Sequence, residues 1–135
     1  MTGGAGMKTA LRAAHAVLAV LAALALVYGG AVLAGEADVV AVEAVEESAG
    51  TWRFDVSVDH ADVGWDHYAD KWEVLASDGR VLATRVLLHP HVGERPFTRS
   101  LAGVAIPAAI DRVTVRAHDS VDGYGGAELT VELAR

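Results

Sequence analysis

His89 and His91 are separated by one residue, and their type and spacing point most directly to a chemical role, the binding of a metal ion. In an extended backbone, residues two apart project to the same side with Cα atoms about 6.5 to 7 Å apart, which suits two imidazoles that bind one metal ion. Pro90 between them disfavours a helical conformation at His89. A His-x-His spacing also arises by chance, so the prediction depends on what lies nearby.

The other histidines beyond the N-terminal segment stand in two stretches rich in aspartate and aromatic residues, "DHADVGWDHYADK" and "HDSVDGYGG". The predicted metal ligands are therefore His89, His91, His118, His60 and His67, with nearby aspartates as further ligands or as acceptors that orient the imidazoles. The chain has no cysteine, and both methionines lie within the first seven residues. Imidazole and carboxylate ligands without sulfur favour Zn²⁺ or Cu²⁺, and the lack of cysteine excludes a blue-copper site.

A second interpretation assigns the same stretches to recognition of a protein or a glycan. Aromatic side chains bury large areas at modest entropic cost and often anchor an interface. The predicted partner-binding residues are Trp65, Asp66, Tyr68, Arg99, Asp119 and Tyr124. On this interpretation the partner is an envelope protein or a glycan, and the histidines supply hydrogen bonds around the aromatic anchors.

A purely structural interpretation exists for each of these residues, because loop networks commonly use histidine and aspartate to satisfy buried backbone groups. On this interpretation His60 closes the end of the core and His118 is solvated. Asp119 begins a turn, and Glu94 and Arg95 form an exposed ion pair that contributes little to stability.

We expect no enzymatic activity. Histidine, aspartate and serine stand together at His118, Asp119 and Ser120. Neighbouring residues in a strand point to opposite sides, however, so these three cannot form the hydrogen-bonded relay of a serine hydrolase. A metal hydrolase would need an open coordination position and a general base, and the sequence identifies neither.

An alternation of apolar and polar residues with period two runs through almost the whole chain after residue 35, and it is typical of half-buried strands. The pattern predicts seven strands, at residues 38–46, 51–59, 70–76, 80–88, 97–103, 111–118 and 127–133. Seven short strands separated by turn signals indicate an all-β domain, an immunoglobulin- or fibronectin-like antiparallel sandwich, with a small β-barrel as the alternative. Trp72 on the third strand is the expected core tryptophan.

Successive strands of such a sandwich run in opposite directions, so alternate connections lie at the same end. The connections after the second, fourth and sixth strands are longer than the others, and all five histidines beyond the N-terminal segment lie in them or directly beside them. Long loops on a rigid scaffold are where binding surfaces are usually built. The remaining connections, "ESAG", "SDGR" and "VAIPAAID", have ordinary turn chemistry. The sequence therefore predicts one specialised end.

Residues 1–34 are predicted to be an export signal. Lys8 and Arg12 precede the apolar stretch "AVLAVLAALALVYGGAVLAG", and its small residues up to Ala34 fit a cleavage site. The uncharged run 13–35 is also long enough to span a bilayer, for which about 20 residues suffice, so a retained inner-membrane anchor is the alternative. In both cases the domain at 38–135 is expected to be exported, to the periplasm or the cell exterior. A lipid anchor on cysteine is excluded.

The part of the chain after residue 35 is strongly acidic. It contains all 18 aspartates and glutamates and nine of the 11 lysines and arginines, which leaves a net charge of −9. Such a charge argues against nucleic acid and against anionic membrane surfaces as partners. We therefore expect membrane contact only through the N-terminal segment.

Three stretches, "GWDHYADKWEVL", "RVLLHPHVGERPFTRSLAGV" and "AHDSVDGYGG", together resemble an uncharacterised family of small exported bacterial proteins. The resemblance extends from about Trp52 to Leu133. It implies an exported, single-domain, β-rich protein, and no activity or site residue is carried over from it.

Overall fold

The computed structural model describes residues 35–135, which belong to one compact unit. The predicted signal or anchor at residues 1–34 lies outside the described residues. Within residues 35–135, no helix is long and apolar enough to cross a membrane.

Seven strands form from the segments in which apolar and polar residues alternate, and all seven predicted strands are confirmed. Their bounds are β1 Asp38–Ser48, β2 Thr51–Asp59, β3 Ala69–Leu75, β4 Val81–Val86, β5 Phe97–Ala105, β6 Arg112–Asp119 and β7 Leu129–Glu132. The alternation is clearest in β2, where every second side chain is buried.

The strands form two antiparallel sheets, one with the order β1-β2-β5 and one with the order β4-β3-β6-β7. The predicted all-β sandwich of the immunoglobulin or fibronectin kind is therefore confirmed. The alternative of a small closed barrel is wrong, because the described strands separate into these two sheets and no ladder joins them.

The core lies between the two sheets and consists mainly of inward-facing aromatic and β-branched side chains. Trp52 and Phe54 of β2 are fully buried, and so is Trp72 of β3, as predicted for the third strand. Full burial of one such side chain stabilises the fold by about 1.5–3 kcal/mol, so the domain holds together without a disulfide.

Three connections meet at the same end of the sandwich, which we call the histidine end. They are loop L1 (residues 60–68) after β2, loop L2 (residues 87–96) after β4 and loop L3 (residues 120–128) after β6. The chain also enters the domain here, because β1 begins at Asp38 opposite Asp59, the last residue of β2. The predicted division into a plain end and a histidine-bearing end is confirmed.

Candidate functional site

Asp62 joins two of the three loops of the histidine end. Its fully buried carboxylate accepts hydrogen bonds from the backbone N–H groups of Ala69 (3.0 Å) and, in L2, of His91 (2.7 Å). A buried carboxylate is stable only when its oxygens are paired. Asp62 thus fixes L1 against the middle of L2.

His60 is the second buried group of this network. Its Nδ1 lies 2.6 Å from Oδ1 of Asp62 and its Nε2 lies 2.9 Å from the carbonyl oxygen of Gly35. Both partners are acceptor oxygens, so the two contacts together require two protons on the ring or one on the Asp62 carboxyl. His60 therefore closes the end of the core, as the structural interpretation predicted, and also joins L1 to the point where the chain enters the domain.

His67, further along L1, contacts two carboxylates that belong to the end of β6 and to L3. Its Nε2 lies 3.1 Å from Oδ1 of Asp119 and 3.2 Å from Oδ2 of Asp122. The short loop between Val63 and His67 is closed by backbone hydrogen bonds, including one from Val63 N–H to the His67 carbonyl. That closure orients the imidazole of His67 towards Asp119.

Asp119 ends β6 and is fully buried. Its Oδ1 accepts hydrogen bonds from the N–H groups of Val121 (2.9 Å) and Asp122 (2.7 Å), in addition to facing His67. The predicted turn at Asp119 is confirmed. Its other oxygen, Oδ2, is buried and has no hydrogen-bond partner.

One set of potential metal ligands comes together in this region. One ligand atom each from His60, His67 and Asp119 lies within 4.8 Å of the other two, and among residues 35–135 no other group of three or more histidine, cysteine or acidic residues is so close. Two ligands of a tetrahedral Zn²⁺ site are roughly 3.4 Å apart. The separations of 3.1 and 3.2 Å between His67 Nε2 and the carboxylates of Asp119 and Asp122 are close to this value.

His89 and His91 are neighbours, but they differ in environment. Their ring centroids are 4.7 Å apart. His89 is exposed, and its Nδ1 lies 3.0 Å from the Pro90 carbonyl oxygen. The His91 ring is buried, stacked on Phe97 at 4.1 Å, and neither ring nitrogen has a hydrogen-bond partner. Burial, followed by the nearby Arg99 guanidinium, lowers the pKa of His91 below its ordinary value of 6.5.

Arg99 lies next to this pair. With Arg85, Leu87, Leu88, His89 and His91 it lines a cavity of about 90 Å³ at the edge between the two sheets. Its guanidinium donates a hydrogen bond to the carbonyl of Thr98 (2.7 Å) and lies 3.5 Å from Glu94. The predicted ion pair between Glu94 and Arg95 is replaced by this contact, because the Arg95 side chain turns to Asp59 (2.7 Å). Hydrogen bonding to Asp59 raises the pKa of Arg95.

His118 is separated from the other histidines by its position on the outer face of the four-stranded sheet. Its Nδ1 lies 2.6 Å from Oδ1 of Asp70, so it is paired and not simply solvated. Tyr124 of L3 folds over the same face, where its ring makes an edge contact with His118 and lies under the Arg116 guanidinium at 3.9 Å. The Tyr124 hydroxyl donates to the buried Glu73. Tyr124 therefore contacts other parts of the domain and is only partly available to a partner.

The predicted aromatic anchors of L1 are more accessible. Trp65 is 66% exposed and packs edge-on against Tyr68 with ring centroids 5.6 Å apart. Asp66 between them is exposed. L3 is held to this part of L1 by the Ser120 N–H, which donates to the Tyr68 carbonyl (2.9 Å).

The opposite end of the sandwich contains a wider cavity of about 270 Å³ but no histidine. It lies between the β3–β4 turn and the β5–β6 connection and is lined by Ala76, Ser77, Asp78, Arg80, Ala109, Ile110, Asp111 and Arg112. Neither of its acids, Asp78 and Asp111, belongs to a cluster of three potential metal ligands in residues 35–135.

The sequence interpretation missed Asp122 and Asp70 as partners of histidines. Asp122 stands three residues after Asp119 in the glycine-rich stretch, a spacing that brings its N–H to the Asp119 carboxylate. That spacing was the available signal for Asp122. Asp70 gave no such signal, because its partner His118 is reached only through the pairing of β3 with β6.

A protein of Halomicrobium mukohataei named "Putative lipoprotein" is 40% identical over 97 residues, which cover 72% of this chain and 47% of that protein. The chain thus spans about half the length of the curated relative it matches. No protein-family model and no solved structure matches the chain. The name of the relative is that of an exported class of proteins, in agreement with the export signal predicted at residues 1–34.

Proposed function

We propose that this protein is an exported binding domain that holds Zn²⁺ or Cu²⁺ at the histidine end. The proposed ligands are His60, His67 and Asp119, with Asp122 as the fourth. The observation that carries the proposal is the set of three ligand atoms within 4.8 Å of one another, beside a buried carboxylate oxygen that has no partner.

Asp119 is the strongest reason to expect a cation. A buried carboxylate is costly to desolvate unless a cation or several hydrogen bonds compensate it. Two backbone N–H groups and the His67 ring all contact Oδ1 of Asp119, whereas its Oδ2 accepts no hydrogen bond. An ion bound between His67 and Asp119 would neutralise this charge.

The donor set favours particular metals. Two imidazoles and two carboxylates without sulfur match the preferences of Zn²⁺ and Cu²⁺, whereas Ca²⁺ and Mg²⁺ prefer oxygen ligands alone. Asp62 already holds one nitrogen of His60 at 2.6 Å. In metal sites such a carboxylate orients the imidazole and increases its basicity. A metal ion that binds a ring nitrogen of His60 would displace the proton on that nitrogen and the hydrogen bond that the nitrogen makes.

The test is calorimetric titration of the full chain with Zn²⁺ and Cu²⁺ in a detergent and buffer that do not chelate. We expect binding tighter than about 100 μM and a loss of at least about tenfold in affinity for His67→Ala and for Asp119→Asn. His89→Ala is the matched control, because His89 belongs to the same end but is exposed and lies outside the ligand set.

Two results contradict the proposal. The first is that neither ion binds more tightly than about 100 μM. The second is that His89→Ala weakens binding while His67→Ala does not, which would assign the ion to His89 and His91. Far-UV circular dichroism of each variant separates the loss of a ligand from the loss of the fold.

A second candidate function is recognition of an envelope protein or a glycan through the aromatic residues of L1, and the exposure of Trp65 is the observation that favours it. Capture experiments in the presence of a chelator distinguish the two functions. A defined partner that is retained without metal and lost with Trp65→Ala supports recognition. Loss of the partner on chelation alone supports the metal site. In both cases the proposed role is binding without catalysis.

A further inference from the structure

Five side chains at the histidine end are the most exposed large apolar side chains in residues 35–135. They are Leu88 (76% exposed), Val63 (66%), Trp65 (66%), Val92 (64%) and Val121 (61%). The next most exposed, Val86, is 53% exposed and directly precedes L2. The five belong to L1, L2 and L3, and each loop contributes at least one.

The three loops that carry these side chains are fixed to one another. Asp62 of L1 accepts from the His91 N–H of L2, and Ser120 of L3 donates its N–H to the Tyr68 carbonyl of L1. Asp62 and His91 of these loops are buried, whereas the five apolar side chains above point outwards. Exposed apolar groups concentrated in one region mark a surface that a partner or another apolar phase covers.

The chain enters the domain at the same end. The carbonyl of Gly35, the first described residue, lies 2.9 Å from His60 Nε2. The 23 residues 13–35 contain no Asp, Glu, Lys or Arg. Any form of the protein in which this run is embedded in a bilayer therefore connects to the domain next to L1.

We propose that the histidine end docks on the lipid bilayer, with Trp65, Leu88 and the exposed valines of the three loops entering the headgroup region. Trp is suited to this interface because it has an apolar body and one polar N–H. Asp66, Glu94 and Asp122 stand beside the tips, so the surface fits uncharged headgroups and is repelled by anionic ones. This extends the membrane contact expected from the sequence, which was limited to the N-terminal segment. Docking requires no metal ion and is independent of the metal-binding function proposed above.

Quenching of tryptophan fluorescence by lipid reports on Trp65 specifically. The other two tryptophans, Trp52 and Trp72, are fully buried, and residues 1–34 contain none. The full chain is reconstituted into phosphatidylcholine vesicles with and without a doxyl-labelled lipid. We expect the labelled lipid to quench the fluorescence of the wild-type protein and this quenching to be lost in Trp65→Ser. The quenching is expected to persist in EDTA.

Charged substitutions show whether the tips drive the contact. Leu88→Asp is expected to reduce the quenching of Trp65, whereas Val81→Asp, at the start of β4 near the opposite end, leaves it unchanged. Vesicles with added phosphatidylglycerol are expected to give less quenching. If Trp65 stays accessible to iodide and is not quenched by doxyl lipid in the wild-type protein, the proposal is overturned and the apolar tips serve a protein partner. Equal effects of Leu88→Asp and Val81→Asp overturn it as well.

Discussion

His91 shows how one side chain departs from what its spacing predicted. A His-x-His pair in an extended strand should project both rings to one side. In the structure β4 ends at Val86, before the pair, and the His91 ring turns inwards onto Phe97 while His89 stays exposed. The ring of His91 is thus a buried polar group with two unpartnered nitrogens. Such a group favours its neutral form.

The pH dependence of stability tests this description of His91. Because burial lowers the pKa of His91 in the folded state, the unfolded chain binds more protons below about pH 6.5, and stability falls as the pH decreases from that value. His91→Leu removes this contribution. Urea unfolding at about pH 7.5 and about pH 5 should show that acid destabilises the wild-type protein more than the variant. Equal losses in the two proteins would contradict the description.

Asp62 is the residue on which the loop network depends most. It pairs with His60 and accepts two backbone N–H groups from different parts of the chain. Asp62→Asn places an amide N–H₂ against these donors, and we expect a loss of about 3 kcal/mol in the free energy of unfolding. Asp66→Asn changes an exposed carboxylate of the same loop and should stay within about 0.5 kcal/mol of the wild type. Chemical denaturation of the three proteins measures both values, and similar stabilities would count against the network.

At the scale of elements, the strands were predictable because apolar and polar residues alternate within each one. This alternation indicates which side chains are buried. The sequence of β2 alone indicates which face Trp52 and Phe54 share. The pairing of the strands was less accessible, since the order β4-β3-β6-β7 depends on contacts between distant segments. The partners His118 and Asp70, or His67 and Asp119, depend on that order. The sequence could thus predict which loops form the histidine end, but not which of their side chains contact one another.

Gly126 illustrates a constraint between elements that the sequence does not reveal. A Cβ atom at this position would lie 2.0 Å from the Ala37 carbonyl oxygen, because L3 passes directly over the entry to β1. Gly126→Ala must therefore displace backbone, and we expect a loss of about 1–3 kcal/mol of stability. Gly35→Ala is the control, since nothing lies within 4 Å of its Cβ position. Thermal unfolding compares the two, and an unchanged Gly126→Ala variant would show that the contact is not maintained in solution.

At the scale of the whole molecule, the two ends of the sandwich differ in composition. One end is made of turns, and the other collects the four histidines of L1 and L2, buried aspartates and exposed apolar side chains around the point of chain entry. The domain carries a net charge of −9, so a bound divalent cation also relieves part of its self-repulsion. Binding at this end is therefore expected to stabilise the entire domain.

Metal-dependent stability is the global consequence of the proposed site. At a free Zn²⁺ concentration of about 100 times the Kd, the folded state gains about 2.7 kcal/mol, which corresponds to a rise in Tm of about 10–20 °C. His67→Ala should lose this gain, and His89→Ala should keep it. Differential scanning fluorimetry with and without EDTA measures both. A Tm that is equally raised in the two variants would show that the ion binds elsewhere.

Anomalous diffraction at the zinc absorption edge, from crystals of the protein grown with Zn²⁺, tests the metal site most directly. The proposed function predicts one anomalous peak at about 2.0–2.2 Å from His67 Nε2 and from a carboxylate oxygen of Asp119, with a nitrogen of His60 in the same coordination sphere. A peak between His89 and His91, or no peak at the histidine end in a crystal that holds Zn²⁺, would contradict it.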